Sequence, residues 1–377
     1  MRSQQNALRK CHSAGDLPLS RAAGPLRQLL DPRSRHVEGH LAYGTLPCPW
    51  YGVQGDEKMH LRGGLPRSRF LLSNGTGERA GGAMTMRGKG PGKKQGWAQD
   101  LVALTKPGVT RMAALTAAGG AWLAPGFDLW SGLAAVLGSS MAVASASAFN
   151  MWWERGTDPL MSRTRNRPLA AGRMDPRHGF VFAAVLGSLS LLLLALATNA
   201  LTVALAALSI VLYVCVYTPL KYRTPLALVI GAIPGAAPPL LGWVGVTGSL
   251  DLGGLALFAI LFVWQMPHYL AITIYRRQEM AKGGIRCVSV VRGDLAAKVQ
   301  ALLWALVLVP VSLLPSLLGV TGLLYGISAL VVSLVFFGWT CTGLWAAKPA
   351  PWARSLFLAS LLYLPALIAA LAIDVSL

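Results

Sequence analysis

"LWSGLAAVLGSSMAVASASAFNMWWERGTDPLMSRTRNRPLAAGRM", residues 129–174, decides the fold. Its first 21 residues carry no charge. A bilayer core needs about 20 consecutive, mainly apolar helical residues, so this run predicts a membrane span over 129–151. The chain then turns abruptly polar, with Asn150, Glu154 and Asp158 and five arginines up to Arg173. Outward in both directions the apolar runs recur. They predict further spans at 108–124, 178–197, 199–217, 226–246, 253–274, 296–316, 319–343 and 353–373. The fold class is therefore all-α, a polytopic membrane bundle of nine transmembrane helices. The short gaps make consecutive spans antiparallel neighbours. The tightest gap is "ATNAL", 197–201, whose Asn199 suits a helix C-terminus.

Composition agrees. The chain is 54% hydrophobic and 13% charged, against about 25% charged residues in a soluble domain. A net charge of +19 raises nucleic acid as a partner. The basic residues of the membrane part, however, sit in loops between apolar runs, and no nucleic-acid-binding motif is visible. The lipid bilayer is the partner that explains the charge, through its anionic surface. The loops alternate. Arg155, Arg163, Arg165, Arg167 and Arg173 lie in one, Lys221 and Arg223 in the next, then Arg276, Arg277, Lys282, Arg286, Arg292 and Lys298, and finally Lys348 and Arg354. The intervening turns hold neither Lys nor Arg. The positive-inside rule puts the N-terminus and the charged loops on the cytoplasmic side. Cys11, Cys48, Cys215, Cys287 and Cys341 form no CxxC pair, which predicts neither a disulfide framework nor a zinc or iron–sulfur site.

Residues 1–95 are different. They are rich in Gly, Arg, Pro and Ser, with 16 Lys/Arg against six Asp/Glu and no long apolar run. The expectation is a disordered basic extension. It reads as a mitochondrial targeting segment, a lineage-specific extension, or a start upstream of the working one at Met84 or Met86. Residues 96–377 are expected to form the membrane domain.

The charged loops carry the chemistry. Residues four apart on a helix drift by only about 40° per step, so Asn150, Glu154 and Asp158 form one polar stripe, loosened where Pro159 disfavours helix at Asp158. These hard oxygen donors suit Mg²⁺, which binds through one or two carboxylates plus substrate phosphates. Arg163 and Arg167 add fork-shaped donors for phosphate oxygens. A solvated helix end with local ion pairs is the plainer reading, but acids at a membrane edge are expensive and usually functional. Lys221 in "YTPLKYRTP" and Arg276, Arg277 and Glu279 in "YRRQEMAKGGIRCVSV" bring more charge to the same side. The pattern predicts a diphosphate and Mg²⁺ held above an apolar cavity.

The stretch 150–174 resembles the first aspartate-rich motif of the UbiA-type membrane prenyltransferases. With "LTKPGVT" (104–110), "YTPLKYRTP" (217–225), "GAIPGAAPPLLGWVGVTGSLD" (231–251) and "WQMPHYLAI" (264–272), it is similar to the protoheme IX farnesyltransferase (heme O synthase) branch over about residues 100–373. The resemblance implies transfer of farnesyl from farnesyl diphosphate to a vinyl group of protoheme IX, giving heme O. It implies Asn150, Glu154, Asp158 and Lys221 as catalytic residues. Diphosphate binding falls to Arg163, Arg167, Lys221, Arg276 and Arg277, and Mg²⁺ to Asn150, Glu154, Asp158 and Glu279. His268 and Trp264 would bind heme, with packing as the competing role for His268. Glu154 and Glu279 stand where the family often has Asp. The glycines and prolines of "GAIPGAAPPLLGW" are expected to break the fifth span and line the cavity. Partners implied are the two substrates and oxidase-biogenesis proteins such as heme A synthase. The expected location is the cell inner membrane, with the mitochondrial inner membrane as the alternative. A quinone-ring or chlorophyll-type acceptor, or a non-catalytic transporter or assembly factor, are the competing functions.

Overall fold

A computed structural model describes residues 96–376. The expectations for residues 1–95 lie outside the described residues. The described chain is helical. A short α1 (Trp97–Leu104) precedes α2 (Pro107–Leu123), α3 (Leu129–Trp153) and α4 (Pro176–Ala197). Then α5 (Ala200–Val211) runs through a π-turn, Leu212–Tyr217, into α6 (Thr218–Leu220). The second half comprises α7 (Ala227–Thr247), α8 (Leu252–Tyr275), the short α9 (Arg277–Lys282) and α10 (Val288–Val291), then α11 (Gly293–Leu317), α12 (Leu323–Cys341) and α13 (Pro349–Ser376).

Eight described helices are long and apolar enough to cross a membrane by length and composition, at 21–28 residues each. The first expected span is α2, which has 17 residues and a length of about 25 Å. The chain is a multi-pass membrane bundle. Its outer faces present Leu192, Leu196, Val335 and Leu362, side chains that hydrocarbon solvates without penalty.

The elements start where local chemistry says they should. Asp128 caps α3 by accepting from Ser131 N, and Asp251 caps α8 by accepting from Gly253 and Gly254 N. Asn199 does the same for α5, accepting from Thr202 N at 2.9 Å. It therefore starts a helix rather than ending one, because in the tight turn its side chain reaches the orphan amides ahead of it. The fifth span is also not broken. Pro234, Pro238 and Pro239 lie inside a continuous α7. Neighbouring helices hold it in place, as they do proline in other membrane bundles. Gln265 of α8, for instance, donates to Ala232 O at 2.8 Å.

Close packing rests on small residues. A Cβ at Gly120 would strike the Pro239 carbonyl, and one at Gly242 the Ala117 carbonyl, so α2 and α7 touch backbone to backbone. Ser145 donates to Ala183 O and Ser190 to Gly138 O, both at 2.7 Å, zipping α3 to α4. The largest buried cluster joins α8, α11, α12 and α13 and includes Trp264, Leu308, Phe336 and Tyr363. A smaller one, with Leu104, Met151, Leu169 and Met174, sits beneath the first charged loop.

Candidate active site

The site is built where α3 runs out. Asn150 lies in its last turn, and Glu154 and Asp158 each open a 3-10 turn beyond Trp153. The expected stripe is therefore not one continuous helix. Gly156 and Pro159 tighten the chain into two short turns, and these still gather the three side chains. All three are buried, at 2%, 4% and 0% exposure. Such burial needs partners. Asn150 Nδ2 donates to Glu154 Oε1 at 2.8 Å and to Thr218 Oγ1 at 3.2 Å. Arg167 Nη1 lies 2.8 Å from both Asp158 oxygens and 3.5 Å from Glu154 Oε2. The Lys221 ammonium contacts Glu154 Oε1. Lys106 Nζ donates to Asn150 Oδ1 at 2.8 Å.

Three charged loops lock around this cluster. Thr157 and Tyr222 join hydroxyls at 2.9 Å, linking the first loop to the second. Ser162 donates to Glu279, linking the first to the third. Arg286 N donates to Lys221 O at 2.9 Å, linking the third to the second.

The cluster roofs a cavity of about 570 Å³. Lys106, Asn150, Glu154, Arg163, Arg167 and Lys221 line its charged end. Apolar walls extend from it, built by Met112, Val143, Ile210 and Leu361, with Tyr213 and Tyr217 beside them. Trp264, Gln265, His268 and Phe357 line another wall. An almost wholly apolar recess of about 340 Å³ adjoins, sharing Thr116, Leu261 and Leu364 with the main cavity.

Cations outnumber acids along the charged end, and they feel it. Burial, and then Arg167, pushes the Lys106 amine down to about 7. Burial, then Arg167 and Arg276, hold the Arg163 guanidinium below its ordinary value. A polyanion in the cavity would relieve this crowding. Glu154, Asp158 and the Asn150 amide oxygen are hard donors of the kind Mg²⁺ takes. Among the described residues no cluster of three or more His, Cys, Asp or Glu could hold a metal. Asn150 and Glu154 line the cavity together, so these donors fit a cation shared with a phosphate ligand.

Several predicted residues stand apart. Asp158 lies beneath Arg167 and outside the cavity lining. Arg276 pairs with Glu279 at 3.0 Å, and Arg277 with Asp294 at 3.5 Å; none of these four lines the cavity. Ser162 and then Arg276 hold the Glu279 carboxyl below its ordinary range, against an opposing effect of burial. Trp152 packs on Phe180 and carries Arg155 over its ring, away from the cavity. Sequence alone does not single out Lys106, Tyr213 or Gln265. The signal for Lys106 is present in "TKP": a lysine opening a span at φ 49°, just before a proline at the first helical position.

Comparison with known proteins decides the family. The pattern of the UbiA prenyltransferase family matches residues 113–361. The chain belongs to the UbiA prenyltransferase family. Among its UbiA relatives, the protoheme IX farnesyltransferase of Myxococcus xanthus is 44% identical over 278 residues, covering 74% of this chain and 95% of that one. That of Anaeromyxobacter sp. is 46% identical over 276 residues, covering 73% and 93%. The UbiA fold is also seen in solved structures. A digeranylgeranylglyceryl phosphate synthase superposes with a TM-score of 0.63 at 16% identity, covering 74% of this chain and 98% of that one. A UbiA homolog from Archaeoglobus fulgidus, bound to DMAPP and Mg²⁺, gives 0.52 at 16% identity, covering 72% and 99%.

Proposed function

We propose that this UbiA enzyme transfers the farnesyl group of farnesyl diphosphate to a vinyl group of protoheme IX, giving heme O and diphosphate. One observation carries the reading. A single cavity joins a buried cation-and-carboxylate end to apolar walls and to the stacked rings of Trp264 and His268, 5.0 Å apart. That is a donor's head, a hydrocarbon's length and a flat acceptor's wall in one space. The relatives at 44–46% identity carry this activity in their name.

Lys106, Arg163, Arg167 and Lys221 bind the diphosphate and take up charge as it leaves. Mg²⁺, held through Glu154 and Asn150 with Asp158 fixing Arg167 behind them, would add positive charge to the leaving group. The allylic C–O bond breaks and its electron pair departs with the diphosphate. The apolar walls keep water from the resulting cation. The vinyl π-electrons form the new C–C bond, and water adds to the carbon left positive, releasing a proton. The protein supplies no covalent nucleophile. The basic loops and the site share one end of the bundle, which we place on the cytoplasmic side of a cell inner membrane.

The deciding experiment is incubation of purified protein in nanodiscs with heme B, farnesyl diphosphate and Mg²⁺, followed by mass spectrometry of the heme. The expected product carries one farnesyl group and one hydroxyl. Unaltered heme, alongside prenylation of a quinone-ring acceptor by the same preparation, would overturn the acceptor assignment.

A further inference from the structure

His268 is held more tightly than a packing histidine needs. Its ring stacks on Trp264 at 5.0 Å and 24°, and packs tilted against Phe357 at 4.9 Å and 38°. Its Nδ1 lies 2.7 Å from Ser360 Oγ. Ser360 also accepts the Trp264 indole N–H at its backbone carbonyl, at 3.0 Å. One residue of α13 therefore fixes both Trp264 and His268 of this α8 wall.

Proton counting then sets the tautomer. A serine hydroxyl has one proton. Ser360 Oγ gives it to Phe357 O at 2.6 Å, and a carbonyl can only accept. In the remaining contact Ser360 must accept, so His268 Nδ1 must donate. A neutral imidazole with its proton on Nδ1 has a bare lone pair on Nε2. Nε2 has no hydrogen-bond partner among the described residues, and the ring lines the cavity.

We propose that Ser360 is a positioning residue for the acceptor half of the reaction: it locks His268 in the Nδ1–H tautomer and presents Nε2 to the cavity as an uncharged ligand for the iron of a porphyrin. This rests on the function proposed above. It also separates two roles for His268. A carboxylate such as a propionate needs a donor, which Nε2 in this form is not. An electron-poor metal centre needs the lone pair. A donor-side hydrogen bond on the other ring nitrogen is the usual device for orienting a metal-binding histidine and raising its basicity, and its loss costs about 10–100-fold in metal affinity.

The test uses Ser360→Ala and Ser360→Thr beside His268→Gln, all as full-length protein in nanodiscs. Histidine ¹⁵N NMR without substrates comes first. The resonance missing from His268→Gln should show a protonated Nδ1 and an unprotonated Nε2. Ser360→Ala should shift it toward a tautomer mixture, and Ser360→Thr should keep it. Heme B titration followed in the Soret band comes second. Ser360→Ala should weaken heme binding by about 10-fold or more and change the band. Ser360→Thr should restore both, and the apparent KM for farnesyl diphosphate should stay within about twofold in each. A wild-type resonance with the proton on Nε2 would overturn the proposal. So would a Ser360→Ala variant with wild-type heme affinity and spectrum, or one weakened equally toward both substrates. Failure of the wild type to make heme O would instead strike the proposed function, while the tautomer is read without any substrate.

Discussion

Glu154 is the residue on which most depends. It is buried, touches Lys221, faces Arg167 and accepts from Asn150. Neutralising it removes a charge that three donors surround. Glu154→Gln should lower turnover by on the order of 10²–10³, as loss of a transition-state contact in a dry site does. Glu154→Asp should lose less, since the charge is kept; mass-spectrometric turnover of the two variants decides. Lys106 makes the complementary case. Lys106→Met should raise the apparent KM for farnesyl diphosphate while leaving that for heme near its wild-type value, because the amine belongs to the charged end, where it donates to Asn150. Steady-state kinetics with each substrate varied would show whether that asymmetry holds. At this scale sequence reveals what breaks a pattern. Asn150, Glu154 and Asp158 are polar residues at the end of an uncharged run, so they announce themselves. Lys106 does not, because the positive-inside rule absorbs any lysine at the cytoplasmic end of a span. Ser360 does not either, since a serine in an apolar helix is commonplace until its partner is known.

At the scale of the helix, the contact between α2 and α7 brings two backbones together with nothing between them. Gly242 faces the Ala117 carbonyl with no room for a Cβ. Gly242→Ala must push two backbones apart, and overpacking of this kind costs about 1–3 kcal/mol. The expected result is a lower thermal midpoint in detergent together with reduced turnover, since α2 also carries Lys106 at its start. Gly119→Ala is the control, for a Cβ there meets nothing within 4 Å. Equal midpoints for the two variants would contradict the close approach. The spans themselves are legible to within a few residues, because apolar length is a long-range signal. Their interiors are less so. Three prolines in α7 suggest a break, yet proline disrupts an isolated helix more than one held on several sides. Asn199 reads as an ending from sequence because its role depends on which way the turn closes, and five residues of sequence do not say.

For the whole molecule, the three linked loops make the charged end one rigid roof rather than three flexible tips. Ligand bound there should stabilise the folded protein. Diphosphate with Mg²⁺ at about 100 times its dissociation constant should add about 2.7 kcal/mol, seen as a raised thermal midpoint. The Arg167→Ala variant should show little of this rise, and a full shift in that variant would argue that the anion sits elsewhere. The two ends of the cavity also differ in when they come into being. Every cation and acid lining the charged end lies between Lys106 and Lys221. The wall that holds His268 waits for Phe357 and Ser360, on the last helix of the described chain. A ribosome delivers these parts in order. A chain made only through α12 carries the charged residues of the charged end but nothing on α13 to orient His268. With α13 arrive both Leu361, part of the apolar wall, and Ser360, so the hydrocarbon's wall and the residue that orients His268 are completed in the same step of translation.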